Sequence, residues 1–316
     1  MIDTNPNEFI WATKYRPRTV DDCILPQKTK DLVKGFISKN EIPHMIFSGG
    51  PGMGKTTLAY AIANELESDL MYINASLENG IDVLRTRIQG FASTVSLSDS
   101  GPKIVILDEA DGTTPVLQAA LKGFLEAFSN NCRFIFTANV KGKLIEPLHS
   151  RCTIVDFKID AQDKKTLAGL FYKRVQQILD QHSIEYEPKV VAELIMKNFP
   201  DFRRTLNELQ RYGANGKIDS GILINHSEEN FKLLFKYLKD KDFTEVRKWV
   251  GVNDDIESAV LYRKLYDMSL THMEKNSIPQ MILTVADYQY KAAIVADQQI
   301  NTMACMMELM SGCEFV

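Results

Sequence analysis

Short apolar runs alternate with stretches of helical periodicity in the first half of the chain. Five such runs predict buried strands, at residues 45–47, 70–74, 103–107, 133–137 and 153–157. Between them, apolar residues recur every third or fourth position, which predicts helices over 27–40, from 55 to about 66, over 81–91 and over 115–128. Strands that alternate with helices in this way form a parallel sheet covered by helices. The pattern therefore predicts an α/β fold for this part of the chain.

After residue 160 the pattern is helical, and we expect no further strand. Apolar stripes start at Leu167 and Val190, and a third helix is expected to begin near Phe202. From residue 227 onward the periodicity is again helical, with a polar break at 251–255. The chain is therefore divided into three predicted domains, which cover residues 1–159, 160–226 and 227–316.

A glycine-rich turn separates the first strand from the helix that follows it. The segment Gly49-x-x-x-x-Gly54-Lys55-Thr56 matches the P-loop template in the strand–turn–helix context that the template requires. Glycines let successive backbone N–H groups turn toward a polyphosphate, and the helix N-terminus adds positive potential. Lys55 is then placed to reach the β- and γ-phosphates and Thr56 to ligate magnesium. The alternative interpretation is a plain Gly/Pro turn.

An acidic pair follows the third apolar run. Asp108 and Glu109 are delivered to the carboxyl end of a buried strand, where ligands bind in open α/β sheets. One acid can hold magnesium, and the next can orient an attacking water. A solvated turn would account for such a pair by itself, but the P-loop upstream favours a nucleotide site.

Composition restricts the functional classes without choosing among them. The 316 residues are 45% hydrophobic and 25% charged, as in ordinary globular proteins, and no apolar run is long enough to span a membrane. The five cysteines are scattered without a C-x-x-C pair, which argues against a zinc module and favours a reducing cytoplasm. The net charge is −4, so any contact with nucleic acid must come from a local basic patch.

Six segments in this order resemble the AAA+ ATPases and, among them, the sliding-clamp loader (replication factor C-like) family. The resemblance extends from residue 11 to about 213, and its segments are Lys14-Tyr15-Arg16-Pro17, Gly49–Thr57, Asn74-Ala75-Ser76 with Gly80-Ile81-Asp82-Val83, Asp108-Glu109-Ala110-Asp111, Ser150-Arg151-Cys152 and the helix from Phe202. The stretches 200–203 and 217–222 are similar to the T-even-type phage members of that family.

The resemblance implies a fold and a set of residue roles. The fold is an AAA+ P-loop domain with a five-stranded parallel sheet, followed by a helical lid and an all-α collar that carries oligomerisation. Magnesium would be held by Asp108 with Thr56, the attacking water would be positioned by Glu109, Asn139 and Arg203 would be sensors, and Arg151 would be an arginine finger that acts on a neighbouring subunit. The implied ATP contacts are Lys14, Tyr15, Ile24, Gly52, Met53, Gly54, Lys55, Thr56, Thr57 and Arg203.

Several of these assignments depend on the resemblance. Without it, Arg151 and Arg203 are ordinary surface charges. Two departures from the family pattern are visible: Ile24-Leu25-Pro26 replaces the usual Val-Gly-Gln beside the adenine, and Lys122 stands where many relatives carry arginine. Lysine keeps a point charge for phosphate but lacks the bidentate fork of arginine.

The implied partners are a sliding clamp, primer–template DNA, copies of the chain itself and a subunit of different sequence, in a hetero-pentamer. Because the chain is acidic overall, we assign DNA contact to a small patch, Arg85, Arg87 and Lys122, each of which is otherwise a solvated charge. The expected function is an ATPase that loads the clamp during DNA replication in the cytoplasm, that of the bacterial host if the chain is phage-encoded. Rival interpretations are another AAA+ machine, such as a helicase loader or branch-migration motor, a P-loop metabolite kinase and an inactive nucleotide-bound subunit.

Overall fold

The computed structural model describes residues 8–76, 81–94, 102–214, 216–219, 222, 226–254 and 256–316. The side chains of residues 81, 82 and 226–229 lie outside this description, as do Gly80 and residues 220–221 of the segments quoted above. The chain forms two compact units, Met1–Ile222 and Leu223–Val316. Each unit has a hydrophobic core of its own.

The first unit contains the predicted parallel sheet. Its strands are β1 (Met45–Ser48), β2 (Leu70–Asn74), β3 (Lys103–Asp108), β4 (Cys132–Ala138) and β5 (Thr153–Asp156), in the order β2-β3-β4-β1-β5. All neighbouring strands are parallel. The central strands are buried on both faces, which explains why their sequences are apolar without interruption. The predicted α/β sheet is confirmed, and β4 lies between the P-loop strand and the acidic strand.

Helices cover both faces of the sheet. Alternate strand residues such as Met45 and Phe47 pack in one core with the helices before and after β1, while Ile46 belongs to the core on the opposite face. These elements are α1 (Trp11–Lys14), α2 (Gln27–Ser38), α3 (Lys55–Glu65), α4 (Ile81–Ser93), α5 (Pro115–Ala127) and α6 (Glu146–His149). Helices α4 and α5 both lie on the face opposite α2 and α3.

A helical segment follows β5 in the same unit. It consists of α7 (Ala161–Gln181), α8 (Pro188–Asn198) and α9 (Phe202–Gly213). The expectation that strands end at residue 160 is wrong, because β6 (Glu185–Tyr186) pairs in parallel with β7 (Lys217–Ile218). Two residues are too few to show the alternation that identifies a strand in sequence.

The second unit is all-α in the residues that the structure describes, apart from an isolated bridge between Met273 and Phe315. Its helices are α10 (His226–Lys239), α11 (Phe243–Val252), α12 (Ser258–His272), α13 (Ile278–Ala292) and α14 (Gln298–Gly312). The predicted apolar stripe of Phe231, Leu234, Phe235 and Leu238 lies in the core of this unit. Among the helices described in either unit, none is long and apolar enough to cross a membrane.

Candidate functional site

A cavity of about 390 Å³ lies in the first unit, at the carboxyl ends of the strands. The glycine-rich loop, the segment around α1 and the start of α9 form its walls. Most of the residues assigned to the nucleotide and its chemistry line it, namely Tyr15, Ile24, Gly52, Met53, Gly54, Lys55, Thr56, Thr57, Asp108, Glu109, Asn139 and Arg203. The fold thus brings together segments that are nearly 200 residues apart.

The glycine-rich loop adopts a conformation that favours glycine at two positions. Gly52 and Gly54 have φ angles of 69° and 91°, in the left-handed region that glycine enters without steric cost. Gly54 is the N-cap of α3, so the free backbone N–H groups of the first helical turn are available beside the cavity. This is the backbone arrangement of an anion site at a helix N-terminus.

Lys55 is buried, with 8% of its surface exposed. Its ammonium group donates to the carbonyl oxygens of Gly49 and Gly50, both at 2.7 Å, and to Asn139 Oδ1 at 2.8 Å. Burial lowers the pKa of Lys55, and nearby Asp108 acts in the opposite direction. The lysine and the predicted sensor Asn139 are therefore in direct contact.

Asp108 accepts hydrogen bonds from three hydroxyl groups. Thr56 and Thr137 donate to its Oδ1 at 2.7 and 2.5 Å, and Tyr72 donates to its Oδ2 at 2.9 Å. Three donors from three elements fix the orientation of the carboxylate. Tyr72 and Thr137 had no predicted role, because nothing in their local sequence shows that the fold places them beside Asp108.

Glu109 follows immediately in a strained conformation, with φ 55° and ψ 41°. A residue other than glycine in this region stores strain, which is common at functional sites. Its backbone N–H donates to Thr137 Oγ1 at 3.0 Å, and its side chain accepts from the Ser76 hydroxyl at 2.8 Å. The carboxylate is therefore held by the end of β2 rather than by the glycine-rich loop.

Asp111 fixes the end of β4. Its Oδ2 accepts from the backbone N–H groups of Asn139 and Val140, at 3.1 and 3.0 Å. Asp111 belongs to the acidic motif, but the sequence predicts no role for it. The structure shows that it positions the residue that contacts Lys55.

The wall contributed by the N-terminal segment is aromatic and apolar. Tyr15 is 4% exposed, and its hydroxyl hydrogen-bonds His182 Nε2 at 2.7 Å, while Trp11 stacks on the same imidazole. Burial raises the pKa of Tyr15 and lowers that of His182. Lys14 does not line the cavity, and its ammonium group lies 5.5 Å from the centre of the Tyr15 ring.

The start of α9 touches the glycine-rich loop. The backbone N–H of Phe202 donates to the Gly52 carbonyl at 3.1 Å. The side chain of Asp201 caps α9 and lies so close that a Cβ added to Gly52 would be 1.7 Å from its Oδ1. Arg203, the second residue of α9, lines the cavity and is near enough to Lys55 to lower the pKa of the lysine. The glycine-rich loop and the start of α9 are therefore in direct contact.

The remaining predicted residues lie away from the cavity. The guanidinium group of Arg151 pairs with Glu126, with an N–O distance of 2.6 Å, and also donates to the Pro147 carbonyl at 3.0 Å. Arg85 and Arg87 are exposed on α4, and Lys122 is half-buried on α5. Next to it, Gln118 is buried and accepts from the backbone N–H of Ile145 at 2.8 Å.

The oxygen atoms of Thr56 and Asp108 fit magnesium, which prefers hard oxygen ligands and usually takes one or two from the protein beside substrate phosphates. Within the described ranges, no cluster of three or more His, Cys, Asp or Glu side chains forms an all-protein metal cage. The donor set is therefore that of a cation bound together with a phosphate ligand.

Comparisons with known proteins agree with this geometry. The family model for "ATPase family associated with various cellular activities (AAA)" matches residues 45–160, and the model for the "Sliding-clamp-loader large subunit, AAA+ ATPase lid domain" matches residues 162–224. The sliding-clamp-loader large subunit of Enterobacteria phage T4 is 39% identical over 99% of both chains. The replication factor C small subunit of Archaeoglobus fulgidus is 32% identical over 96% of this chain and 98% of that one.

Solved structures give the same fold at greater distance. The Thermotoga maritima RuvB P216G mutant superimposes with a TM-score of 0.53 at 17% identity, over 75% of this chain and 86% of that one. This likeness shows the fold alone, whereas the similarity to the phage protein extends over the whole chain. The chain therefore belongs to the sliding-clamp-loader large-subunit family, and it is a nucleotide-binding AAA ATPase that acts as a clamp-loader motor in DNA replication.

Proposed function

We propose that this ATPase opens a sliding clamp and loads it onto primer–template DNA, with the residue roles given below. The observation that carries the proposal is the convergence of Lys55, Asp108, Glu109, Asn139 and Arg203 on one cavity. Relatives that are 39% and 32% identical to this chain are named sliding-clamp-loader large subunit and replication factor C small subunit. Binding of ATP orders the assembly that holds the clamp open, and hydrolysis releases the clamp on DNA.

The hydrolytic step is assigned to Glu109. Its carboxylate accepts the proton of the attacking water, while Lys55 and Asn139 contact the γ-phosphate. Thr56 and Asp108 hold magnesium, which neutralises phosphate charge when it is bound. Glu109 is exposed at the cavity and its carboxylate is engaged by Ser76, so a change at the end of β2 alters the position of the base.

The lid role belongs to Arg203 and its neighbours. Arg203 reaches the phosphates from α9, and the hydrogen bond from Phe202 to Gly52 joins α9 directly to the glycine-rich loop. Nucleotide that fills the cavity contacts both walls. Residues 160–226 are accordingly assigned to a lid domain, distinct from the nucleotide-binding domain at 1–159.

Arg151 acts on a neighbouring subunit. It does not line the cavity of its own chain, and its side chain is one-third exposed, so another chain can approach it. This role requires copies of the chain to be adjacent, together with the subunit of different sequence, in a hetero-pentamer. Residues 227–316 form the collar through which the copies associate.

DNA contact is assigned to Arg85, Arg87 and Lys122. Helices α4 and α5 carry them on one face of the sheet, and Lys122 lies beside the hydrogen bonds of Gln118. Such contacts recognise the phosphate groups of DNA and not its base sequence. All five cysteines are free thiols, as expected for a protein that works in the reducing cytoplasm of the cell where replication takes place.

The test is ATP hydrolysis by the assembled complex with no addition, with a sliding clamp, with primed DNA and with both. Clamp and primed DNA together should give the highest rate, and the variant Lys55→Ala should be inactive in all four mixtures. A rate that does not change when clamp and DNA are added would overturn clamp loading while leaving the ATPase assignment intact.

A further inference from the structure

Tyr72 connects the edge strand of the sheet to the acidic residue that is assigned to magnesium. It lies in the middle of β2, and its hydroxyl donates to Asp108 Oδ2 at 2.9 Å. Both threonine hydroxyls that contact this carboxylate use the other oxygen, Oδ1. Among the residues that the structure describes, Tyr72 is therefore the one whose side chain donates a hydrogen bond to Oδ2.

The ring of Tyr72 is itself fixed, although 39% of the residue is exposed. It stacks on Tyr60 of α3, with ring centroids 5.9 Å apart and planes at 25°. The guanidinium group of Arg16 covers Tyr60 at 4.8 Å from its centroid. A phenol held between an aromatic neighbour and a carboxylate has little freedom to rotate, so its hydroxyl is a preorganised donor.

We propose that Tyr72 is a positioning residue for the ATPase reaction, which acts by fixing the rotation of the Asp108 carboxylate so that one oxygen faces the metal and phosphate side. The proposal rests on the assignment of Asp108 to magnesium. Outer hydrogen-bond partners of metal-binding carboxylates set the orientation and basicity of the ligand, and their removal commonly costs 10- to 100-fold in metal affinity or activity.

The two oxygens of the Asp108 carboxylate have different donors. Thr56 and Thr137 both donate to Oδ1, and a turn of the planar carboxylate about its Cβ–Cγ bond would move both oxygens at once. The hydrogen bond from Tyr72 adds to the resistance to this rotation and holds the second oxygen, Oδ2, which neither threonine contacts. Tyr72→Phe deletes the donor and keeps the ring that stacks on Tyr60, so the variant changes the carboxylate without opening a cavity.

The experiment measures the magnesium dependence of nucleotide binding with a fluorescent ADP analogue. Wild type and Tyr72→Phe are titrated with Mg²⁺ at fixed nucleotide, and binding is also measured in EDTA. We expect Tyr72→Phe to need about tenfold more Mg²⁺ for half-maximal binding. Its affinity in EDTA should equal that of wild type, because the loop and the aromatic wall are intact.

A matched control is available in the same unit. Tyr212 donates to Asp219 Oδ1 at 2.8 Å and does not line the cavity, so Tyr212→Phe removes a Tyr–Asp bond of the same kind elsewhere. This control should titrate like wild type, and all variants should melt at the same temperature. A second readout is kcat at saturating Mg²⁺, which should fall in Tyr72→Phe while the KM for ATP stays unchanged.

Two outcomes separate this proposal from the one on which it rests. If Asp108→Asn shifts the Mg²⁺ titration and Tyr72→Phe remains within twofold of wild type, the positioning role is wrong and the metal assignment stands. If Asp108→Asn leaves the titration unchanged, the metal assignment itself is wrong. An equal loss of affinity with and without Mg²⁺ in Tyr72→Phe would also contradict positioning, because the residue would then act on the pocket as a whole.

Discussion

The charged groups of the cavity and those of the surface around Arg151 and Glu126, which we call the outer face, differ in how they are held. In the cavity, the ammonium group of Lys55 and the carboxylate of Asp108 each have three hydrogen-bond partners from their own chain. On the outer face, Arg151 pairs with Glu126, an exposed carboxylate, and is itself one-third exposed. Exposed ion pairs contribute little stability, so this pair can exchange partners at small cost. Under the proposed role of Arg151, nucleotide binding is built within one chain, whereas hydrolysis is completed by a residue of a neighbouring chain.

The largest expected effect follows from Arg151→Ala. Loss of an arginine finger reduces hydrolysis on the order of a thousandfold or more, while binding of ATP to the intact cavity is unchanged. Steady-state ATPase and nucleotide titration of the assembled complex measure the two quantities. Arg204→Ala is the control, since Arg204 also pairs with a glutamate of its own chain and lies outside the cavity. Normal hydrolysis in Arg151→Ala would show that Arg151 takes no part in the reaction.

Glu109→Gln tests the cavity side of the comparison. The variant keeps the size of the side chain and loses the base, so turnover should fall by about 10²- to 10⁴-fold with nucleotide binding retained. Lys55→Ala should instead weaken binding itself, because it removes the cation that faces the phosphates. Single-turnover hydrolysis combined with equilibrium binding separates the two. Hydrolysis at near wild-type rate in Glu109→Gln would show that another residue positions the water.

Lys122→Ala examines whether DNA communicates with the cavity from the surface of α5. The DNA-stimulated part of the ATPase rate should fall while the DNA-free rate stays nearly constant. The slope of log affinity against log salt concentration should decrease by about one. Lys189→Ala, which removes an exposed lysine of α8, should change neither quantity. Equal stimulation of Lys122→Ala and wild type across a salt titration would remove Lys122 from the DNA surface.

The smallest effect concerns His44, the half-buried histidine before β1. Burial lowers the pKa of His44 to about 4, and neutral His44 accepts the backbone N–H of Phe134 at its Nδ1. Between about pH 6.5 and pH 4, His44 is protonated in the unfolded chain and neutral in the folded chain. The free energy of unfolding should therefore decrease as the pH falls from 6.5 toward 4. His44→Gln, which can accept the same bond without titrating, should flatten this part of the profile. Thermal melts at several pH values measure this difference. If His44→Gln and wild type show the same dependence of melting temperature on pH, His44 is not the group responsible.

Much of the sheet could be predicted because its strands are short apolar runs bounded by polar residues. The prediction for β2 agrees with the structure at both ends, and that for β4 is one residue short at each end. The pair β6 and β7 was missed, since two-residue strands leave no periodic signal. Local pattern therefore identifies elements that bury whole faces and misses those formed by a few backbone bonds.

The residues of the candidate site also differ in whether local sequence identifies them. Lys55, Thr56 and Asp108 could be found because a loop or strand end requires those residue types at fixed spacing. Ser76, Tyr72 and Thr137 contact the acidic pair only because β2, β3 and β4 are neighbours in the sheet. Asp111 stood inside a quoted motif, yet its bonds to the Asn139 and Val140 backbone depend on tertiary structure. Residues that position others are thus less visible in sequence than residues that touch the ligand.

The most direct test of completion by a neighbour is a mixing experiment with two inactive variants. Arg151→Ala subunits keep an intact cavity, and Lys55→Ala subunits keep an intact Arg151, so neither assembly should hydrolyse ATP alone. Assembled together, they should recover a fraction of wild-type ATPase activity, from interfaces where an intact cavity meets an intact Arg151. Mixtures that stay as inactive as their components, or wild-type monomers that hydrolyse ATP as fast as the assembly, would contradict the account.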